Sequence, residues 1–189
     1  MADAPFLVLG MDPGFRHCGI VVVDARDGML HHTETLDLGD DAMLWRSRLF
    51  SRLDDFHARF TLRGIGSESP VILYGALKKH QGTKCASCGR SDQGERDFVN
   101  AKSTVGIFGS ALLAECWASL HGLPFQHCRP MSIKQYACLR SREPFNYTKP
   151  PTKAQMVKMA AAVSGSTLVD HHSADAYFAA LSMYSSRAA

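Results

Sequence analysis

Short apolar runs that end at turn-forming residues punctuate the chain. Such runs are typical of buried strands. The runs that predict strands lie at residues 6–11, 18–24, 29–38, 71–74 and 123–127. Because tight turns join the first three, we expect them to form an antiparallel meander.

Other stretches place apolar residues at helical spacing. They predict helices at residues 42–60, 100–120, 132–136, 152–163 and 173–185. In the first stretch Leu53, Phe56 and Phe60 fall near one face, with Arg and Asp residues between them. Thr152 is a candidate N-cap for the fourth helix. Three antiparallel strands followed by alternating helices and strands predict a five-stranded mixed sheet flanked by helices, an α/β fold.

Composition adds few constraints. With 189 residues, 46% of them hydrophobic and 21% charged, residues 1–189 suit one globular domain. The net charge of +3 permits a nucleic-acid partner without requiring one. A polar stretch rich in Gly and Ser, at about residues 78–98, predicts an insertion. No run is long enough to span a membrane and no signal peptide is evident, so we expect reduced cysteines and a cytoplasmic location, in a bacterial or phage-infected cell.

Two acidic positions are candidates for chemistry. Asp12 ends the first strand, in the LGMDPG motif of residues 9–14. A charge at the end of a buried strand is unfavourable without a partner, and a divalent cation is a natural one. His172 and Asp175 lie three residues apart in the first turn of the last helix. Turn capping by Asp12 and helix-dipole stabilisation by Asp175 are the structural alternatives.

These motifs resemble those of a known enzyme family. LGMDPG followed by CGIVVVD is similar to the first hairpin of RuvC-type Holliday-junction resolvases, and HSADAYFAALSMY is similar to their last helix. The resemblance covers nearly the whole chain except about residues 78–98. It implies an RNase H-like fold and hydrolysis of branched DNA, such as four-way junctions, with two Mg²⁺ or Mn²⁺ ions. It also implies a homodimer, for which the helix at 100–120 is our candidate interface.

The resemblance assigns roles to particular residues. Asp12, His172 and Asp175 correspond to catalytic and metal-binding positions, with Asp170 a less favoured substitute for His172. Lys134 and Lys153 correspond to positions near DNA phosphate.

One position departs from the family pattern. The family has a glutamate at the end of the fourth strand, where the strand predicted at 71–74 places Tyr74 or Gly75. Our first explanation is that the acid is lost, which predicts a weakly bound second ion and either impaired cleavage or junction binding without cleavage. Alternatively, Glu68 stands in although it precedes the predicted strand, or Glu95 returns on the inserted loop.

The insertion carries further candidate sites. Cys85 and Cys88 form a CxxC pair that suits structural Zn²⁺ if His80 and either His127 or Cys128 complete the site. The alternative is two free thiols on a polar loop.

Basic and aromatic residues provide candidate DNA contacts. Lys78 and Lys79 are the basic candidates within the insertion. The resemblance implies that Phe98 is a candidate wedge into a junction, and a place in the core is the alternative. Aromatic residues that interleave with basic ones, and that would stack on an unpaired base, are Tyr136, Phe145 and Tyr147.

The sequence also allows a function of a different class, that of an actin- or hexokinase-like ATPase. Proteins of that class also have a first strand followed by Asp and Gly, but they usually need two such domains.

Overall fold

The computed structural model describes residues 4–14, 16–39, 41, 44–70, 101–166 and 170–185, without the side chains of 101–105 and 185. These residues form the strands β1 (Leu7–Asp12), β2 (His17–Asp24), β3 (Leu30–Asp37), β4 (Ile65–Glu68) and β5 (Phe125–Cys128). The helices are α1 (Leu44–Phe60), α2 (Ala101–Leu120), α3 (Pro130–Ser141), α4 (Lys153–Ser164) and α5 (His171–Ser185). None of the described helices is long and apolar enough to cross a membrane.

The five described strands form one mixed sheet in the order β3-β2-β1-β4-β5. The antiparallel meander of the first three strands is confirmed, and β4 and β5 extend the sheet in parallel with β1. This arrangement confirms the predicted RNase H-like α/β fold. Because β1 and β4 are parallel neighbours, their carboxyl ends lie at the same edge of the sheet.

The fourth strand differs from the prediction. Ile65 pairs with Leu9 and Ser67 with Met11, so β4 holds the place expected for the run at 71–74, which lies outside the described residues. The hydrophobic pattern does not predict β4, because the strand is short and Ile65 is its one large apolar residue. Gly66 is needed there, since a Cβ at this position would clash with the carbonyl oxygen of Ala179 in α5.

A core lies on each face of the sheet. One packs α1 and α2 against the sheet through residues such as Leu9, Leu53 and Trp117. The other packs α3, α4 and α5 against the opposite face through residues such as Val8 and Phe178. Since β1 is covered on both faces, it reads as a continuous apolar run.

Helix α5 lies directly on the sheet. Its Ala174, Ala176, Ala179 and Ala180 are fully buried. A Cβ on Gly10 of β1 would clash with the carbonyl oxygen of Ala176. Small residues on both surfaces thus let the backbones approach closely, and this fixes the start of α5 beside the end of β1.

Several boundaries refine the predictions. Thr152 is confirmed as the N-cap of α4, where it forms a capping box with Gln155. Helix α3 extends beyond the predicted 132–136 in both directions and begins at Pro130, a favoured first-turn residue. The predicted insertion at 78–98 lies outside the described residues, so the single-domain prediction with its insertion stays a prediction.

Candidate metal centre

Three carboxylates converge at one edge of the sheet. Asp12 ends β1, Glu68 ends β4, and Asp175 lies near the start of α5. One oxygen from each lies within 4.8 Å of the others. The expectation that Asp12 and Asp175 lie within reach of one ion is therefore met, and the fold adds a third acid.

The prediction that the fourth-strand acid is missing is wrong. Glu68 ends β4, opposite Cys128 of β5, and its carboxylate belongs to the cluster. The error came from placing the strand at 71–74, which put Tyr74 or Gly75 where the acid belongs. A signal was present in Pro70, because a proline cannot donate a hydrogen bond to a sheet and so also marks a position beyond which a preceding strand does not continue. Glu95, the other proposed substitute, lies outside the described residues.

The cluster is electrostatically strained in the absence of a cation. Burial, together with the charges of Asp12 and Asp175, raises the pKa of Glu68 to about 8. Burial and the charge of Asp12 raise the pKa of Asp175 to about 6. Both shifts arise because partly buried like charges disfavour ionisation. Clustered carboxylate oxygens on rigid backbone are what a hard divalent cation prefers, so the residues present fit Mg²⁺ or Mn²⁺.

His172 contacts the cluster through Asp12. Its Nδ1 lies 2.5 Å from Oδ2 of Asp12. This hydrogen bond raises the pKa of His172 above its ordinary value, which favours an imidazolium that donates to the carboxylate. His172 is thus placed to orient Asp12. Its assignment as a metal ligand stays a prediction.

Asp170 has a structural role at the start of α5. Its carboxylate accepts a hydrogen bond from the backbone N–H of Ser173 at 2.8 Å and another from the hydroxyl of Thr35. Burial opposes ionisation of Asp170, but these hydrogen bonds hold its pKa below the usual range. Asp170 therefore caps α5 and ties it to β3, which gives no support to Asp170 as a substitute for His172.

The carboxylates open into a cleft of about 410 Å³. Gly14 and Ile107 line it together with Lys134 of α3 and Lys153 of α4. The charges of both lysines act to lower the pKa of Glu68 and Asp175. An anion that entered this cleft would meet two ammonium groups beside three carboxylates, an arrangement suited to a phosphate held next to metal ions.

Comparison with solved structures agrees with this architecture. Thermus thermophilus RuvC in complex with a Holliday junction substrate superposes with a TM-score of 0.67, at 18% identity over 96% of both chains. A second structure of Thermus thermophilus RuvC gives 0.64 at 20% identity, again over 96% of both chains. The chain has the RuvC fold.

A more distant structure shares this fold. The yeast mitochondrial Holliday junction resolvase Ydc2 gives a TM-score of 0.51 at 15% identity, over 95% of this chain and 82% of its own. No family model matches the sequence, and no curated protein does. At these identities the similarity to RuvC establishes the fold, which places the ends of β1 and β4 and the start of α5 together.

The structure does not test the remaining predicted site residues. Lys78, Lys79, Cys85, Cys88 and Phe98 lie outside the described residues, so their roles in DNA or zinc binding stay predictions. Of the suggested zinc partners, His127 pairs with Glu115 at 3.1 Å, and Cys128 accepts a hydrogen bond from the Ser182 hydroxyl.

Proposed function

We propose that the protein is a divalent-metal-dependent endonuclease that hydrolyses phosphodiester bonds in branched DNA such as four-way junctions. The observation that carries this proposal is the convergence of Asp12, Glu68 and Asp175 from three separate elements into one cleft. Presence of Glu68 removes the reason for preferring a protein that binds junctions without cleaving them. The described residues build a single sheet, so nothing in them favours the two-domain ATPase alternative.

The chemistry follows from this set of side chains. Asp12, Glu68 and Asp175 would hold Mg²⁺ or Mn²⁺, which when bound polarises phosphoryl oxygens and activates water. His172 holds the Asp12 carboxylate in one orientation by hydrogen bonding to it. Lys134 and Lys153 attract the phosphate and balance the charge that builds up on it.

Paired cuts across a junction require two such sites. A four-way junction is two-fold symmetric, and a two-fold homodimer would match it. Helix α2 carries an exposed apolar stripe formed by Leu112, Cys116 and Leu120, which follow one another at four-residue spacing. Leu112 is 60% exposed and Leu120 76%. We infer that this stripe is the dimer contact.

The molar mass of the protein in solution tests whether it forms a dimer. Light scattering is expected to give twice the chain mass for the wild type and the monomer mass for Leu112→Glu. Oxidation is expected to cross-link Cys116 across the two-fold axis. A monomeric wild type would contradict the dimer and leave the nuclease proposal standing.

The activity is tested on a labelled four-way junction and a duplex of equal length. We expect Mg²⁺ or Mn²⁺ to support cleavage of the junction and EDTA to abolish it. Asp12→Asn and Asp175→Asn are expected to lower the rate at least about 100-fold while junction binding persists. Glu115→Gln, which alters an acid paired with His127, is the matched control. Equal cleavage by wild type and Asp12→Asn would overturn the proposal.

A further inference from the structure

An exposed aromatic pair projects from the loop between α3 and α4. Tyr147 is 65% exposed, and its ring centroid lies 4.8 Å from that of half-buried Phe145, at an interplanar angle of 84°. Phe145 thus packs its ring edge-to-face with Tyr147 and supports it, while most of the tyrosine surface stays open. Burying such a ring would be favourable, so its exposure suits a ligand that covers it.

The loop that presents this pair is held at both ends. Arg142 closes α3 in the left-handed conformation, and its N–H reaches the carbonyls of Cys138 and Leu139. Asn146 accepts hydrogen bonds from the backbone N–H and the hydroxyl of Thr148, at 2.9 and 2.8 Å. The capping box at Thr152 then starts α4. The aromatic pair is therefore ordered before any ligand binds, which lowers the entropic cost of binding.

The loop that carries the pair joins two helices that each contribute a lysine to the cleft. The Tyr147 hydroxyl points to Oε1 of Gln135 at 3.5 Å, and Gln135 follows Lys134, which lines the cleft. At its other end the loop leads into Lys153, which also lines the cleft. The loop between α3 and α4 also carries two exposed basic residues, Arg142 and Lys149, and one acid, Glu143.

We propose that Phe145 and Tyr147 form a stacking platform for an unpaired nucleobase of a DNA strand that runs into the cleft. This inference rests on the proposed function. An exposed aromatic face on a loop that also carries Arg142 and Lys149 matches a base attached to phosphates, and stacking tolerates any base because each has a π-face. A protein partner would favour apolar neighbours, whereas Asn146, Thr148 and Lys149, which flank Tyr147 in the loop, are polar and exposed.

The test measures stacking directly, in EDTA, with two probes that carry 2-aminopurine. One is a short single-stranded oligonucleotide, and the other is a four-way junction with the fluorescent base unpaired at the branch point. Wild type is expected to quench both. Tyr147→Ala is expected to lose the quenching and to bind the single strand about tenfold more weakly, whereas Tyr147→Phe retains both. The matched control is Leu139→Ala, which removes an exposed apolar side chain from α3 instead of from the loop, and it should behave as wild type.

The outcomes separate this inference from the nuclease proposal. Unchanged quenching and affinity in Tyr147→Ala would overturn the platform even if junction cleavage were normal. Tyr147-dependent quenching of the single strand by a protein that cleaves no junction would support the platform and overturn the nuclease proposal. If Tyr147→Ala left DNA affinity intact but changed the mass of the protein in solution, the pair would be a protein contact and the platform would be wrong.

Discussion

Glu68 occupies an electrostatically unfavourable position in the cleft. It ends β4 between two other carboxylates, and burial and their charges raise its pKa to about 8. Such an arrangement is unfavourable unless a proton or a cation compensates it, and positions of this kind are typical of functional sites. The cost of holding Glu68 there is consistent with a role in binding metal.

Glu68→Gln is expected to lower Mg²⁺-dependent cleavage at least about 100-fold, because a lost metal ligand removes transition-state stabilisation. The substitution should also reduce the rise in melting temperature that Mg²⁺ gives the wild type, since it removes a ligand from the folded state. Cleavage assays and thermal denaturation with and without Mg²⁺ measure the two effects. Glu95→Gln is the comparison variant. A loss of cleavage in Glu95→Gln but not in Glu68→Gln would mean that Glu95, rather than Glu68, supplies the third acid.

At the scale of elements, a buried carboxylate closes the β2–β3 hairpin. Asp24 accepts hydrogen bonds from the backbone N–H groups of Phe6 and Arg26, and the Arg26 guanidinium reaches it at 2.6 Å. The hydrogen bond from the Arg26 side chain is the main reason that the pKa of Asp24 lies below its usual value of 3.8.

Asp24→Asn is expected to lower the free energy of unfolding by about 1–3 kcal/mol at pH 7, because it leaves buried polar groups poorly paired. A lowered pKa in the folded state means that the stabilisation is fully present above pH 3.8 and is lost as the pH falls below it. Urea unfolding of both proteins from pH 7 down to pH 3 measures the difference. It should shrink towards the acid end, and a constant difference would contradict a charge-dependent role.

The close contact between α5 and β1 gives a second prediction at this scale. Gly10→Ala is expected to cost about 1–3 kcal/mol of stability, because its Cβ would displace the backbone of α5 at Ala176. Since Asp175 precedes Ala176, cleavage by the folded variant should fall as well.

Gly122→Ala is the control for this substitution. Gly122 has a positive φ of 64°, but no atom lies within 4 Å of a Cβ placed there. The Gly122→Ala variant should therefore lose about 1 kcal/mol of unfolding free energy and keep its cleavage activity. Unfolding and cleavage assays on both variants separate the two cases. Full activity in stable Gly10→Ala would mean that the site tolerates movement of α5.

At the scale of the whole molecule, charge distribution matters more than net charge. The net charge is only +3, yet Lys134 and Lys153 come from two helices to border one cleft. A duplex phosphate contact contributes a slope of about −0.9 in log affinity against log salt concentration. Local placement of lysines, rather than overall basicity, should therefore set the salt dependence of DNA binding.

Lys134→Ala and Lys153→Ala are each expected to flatten that slope by roughly one unit. Titrations of a four-way junction at several salt concentrations in EDTA measure it. Lys158→Ala, which removes an exposed lysine of α4 away from the cleft lining, is the control. An unchanged slope in both cleft variants would mean that the phosphate backbone does not contact these lysines.

The sequence by itself determined the features that depend on the local pattern of residues. Apolar runs with tight turns predicted the β1–β2–β3 meander, the Thr152 cap predicted the start of α4, and Asp12, His172 and Asp175 were selected at a strand end and a helix start. These features rest on burial periodicity and hydrogen bonding within a few residues, so they can be recognised without knowledge of distant contacts.

What only the tertiary structure decided was the identity of the third acid. Residues 65–68 contain two polar residues and one glycine, so their hydrophobic pattern is too weak to predict a strand. They form β4 because pairing with β1 and β5 supplies the hydrogen bonds, and because Gly66 leaves room for α5. Contacts between residues far apart in the chain therefore set the register of β4, and that register brings Glu68 to Asp12 and Asp175.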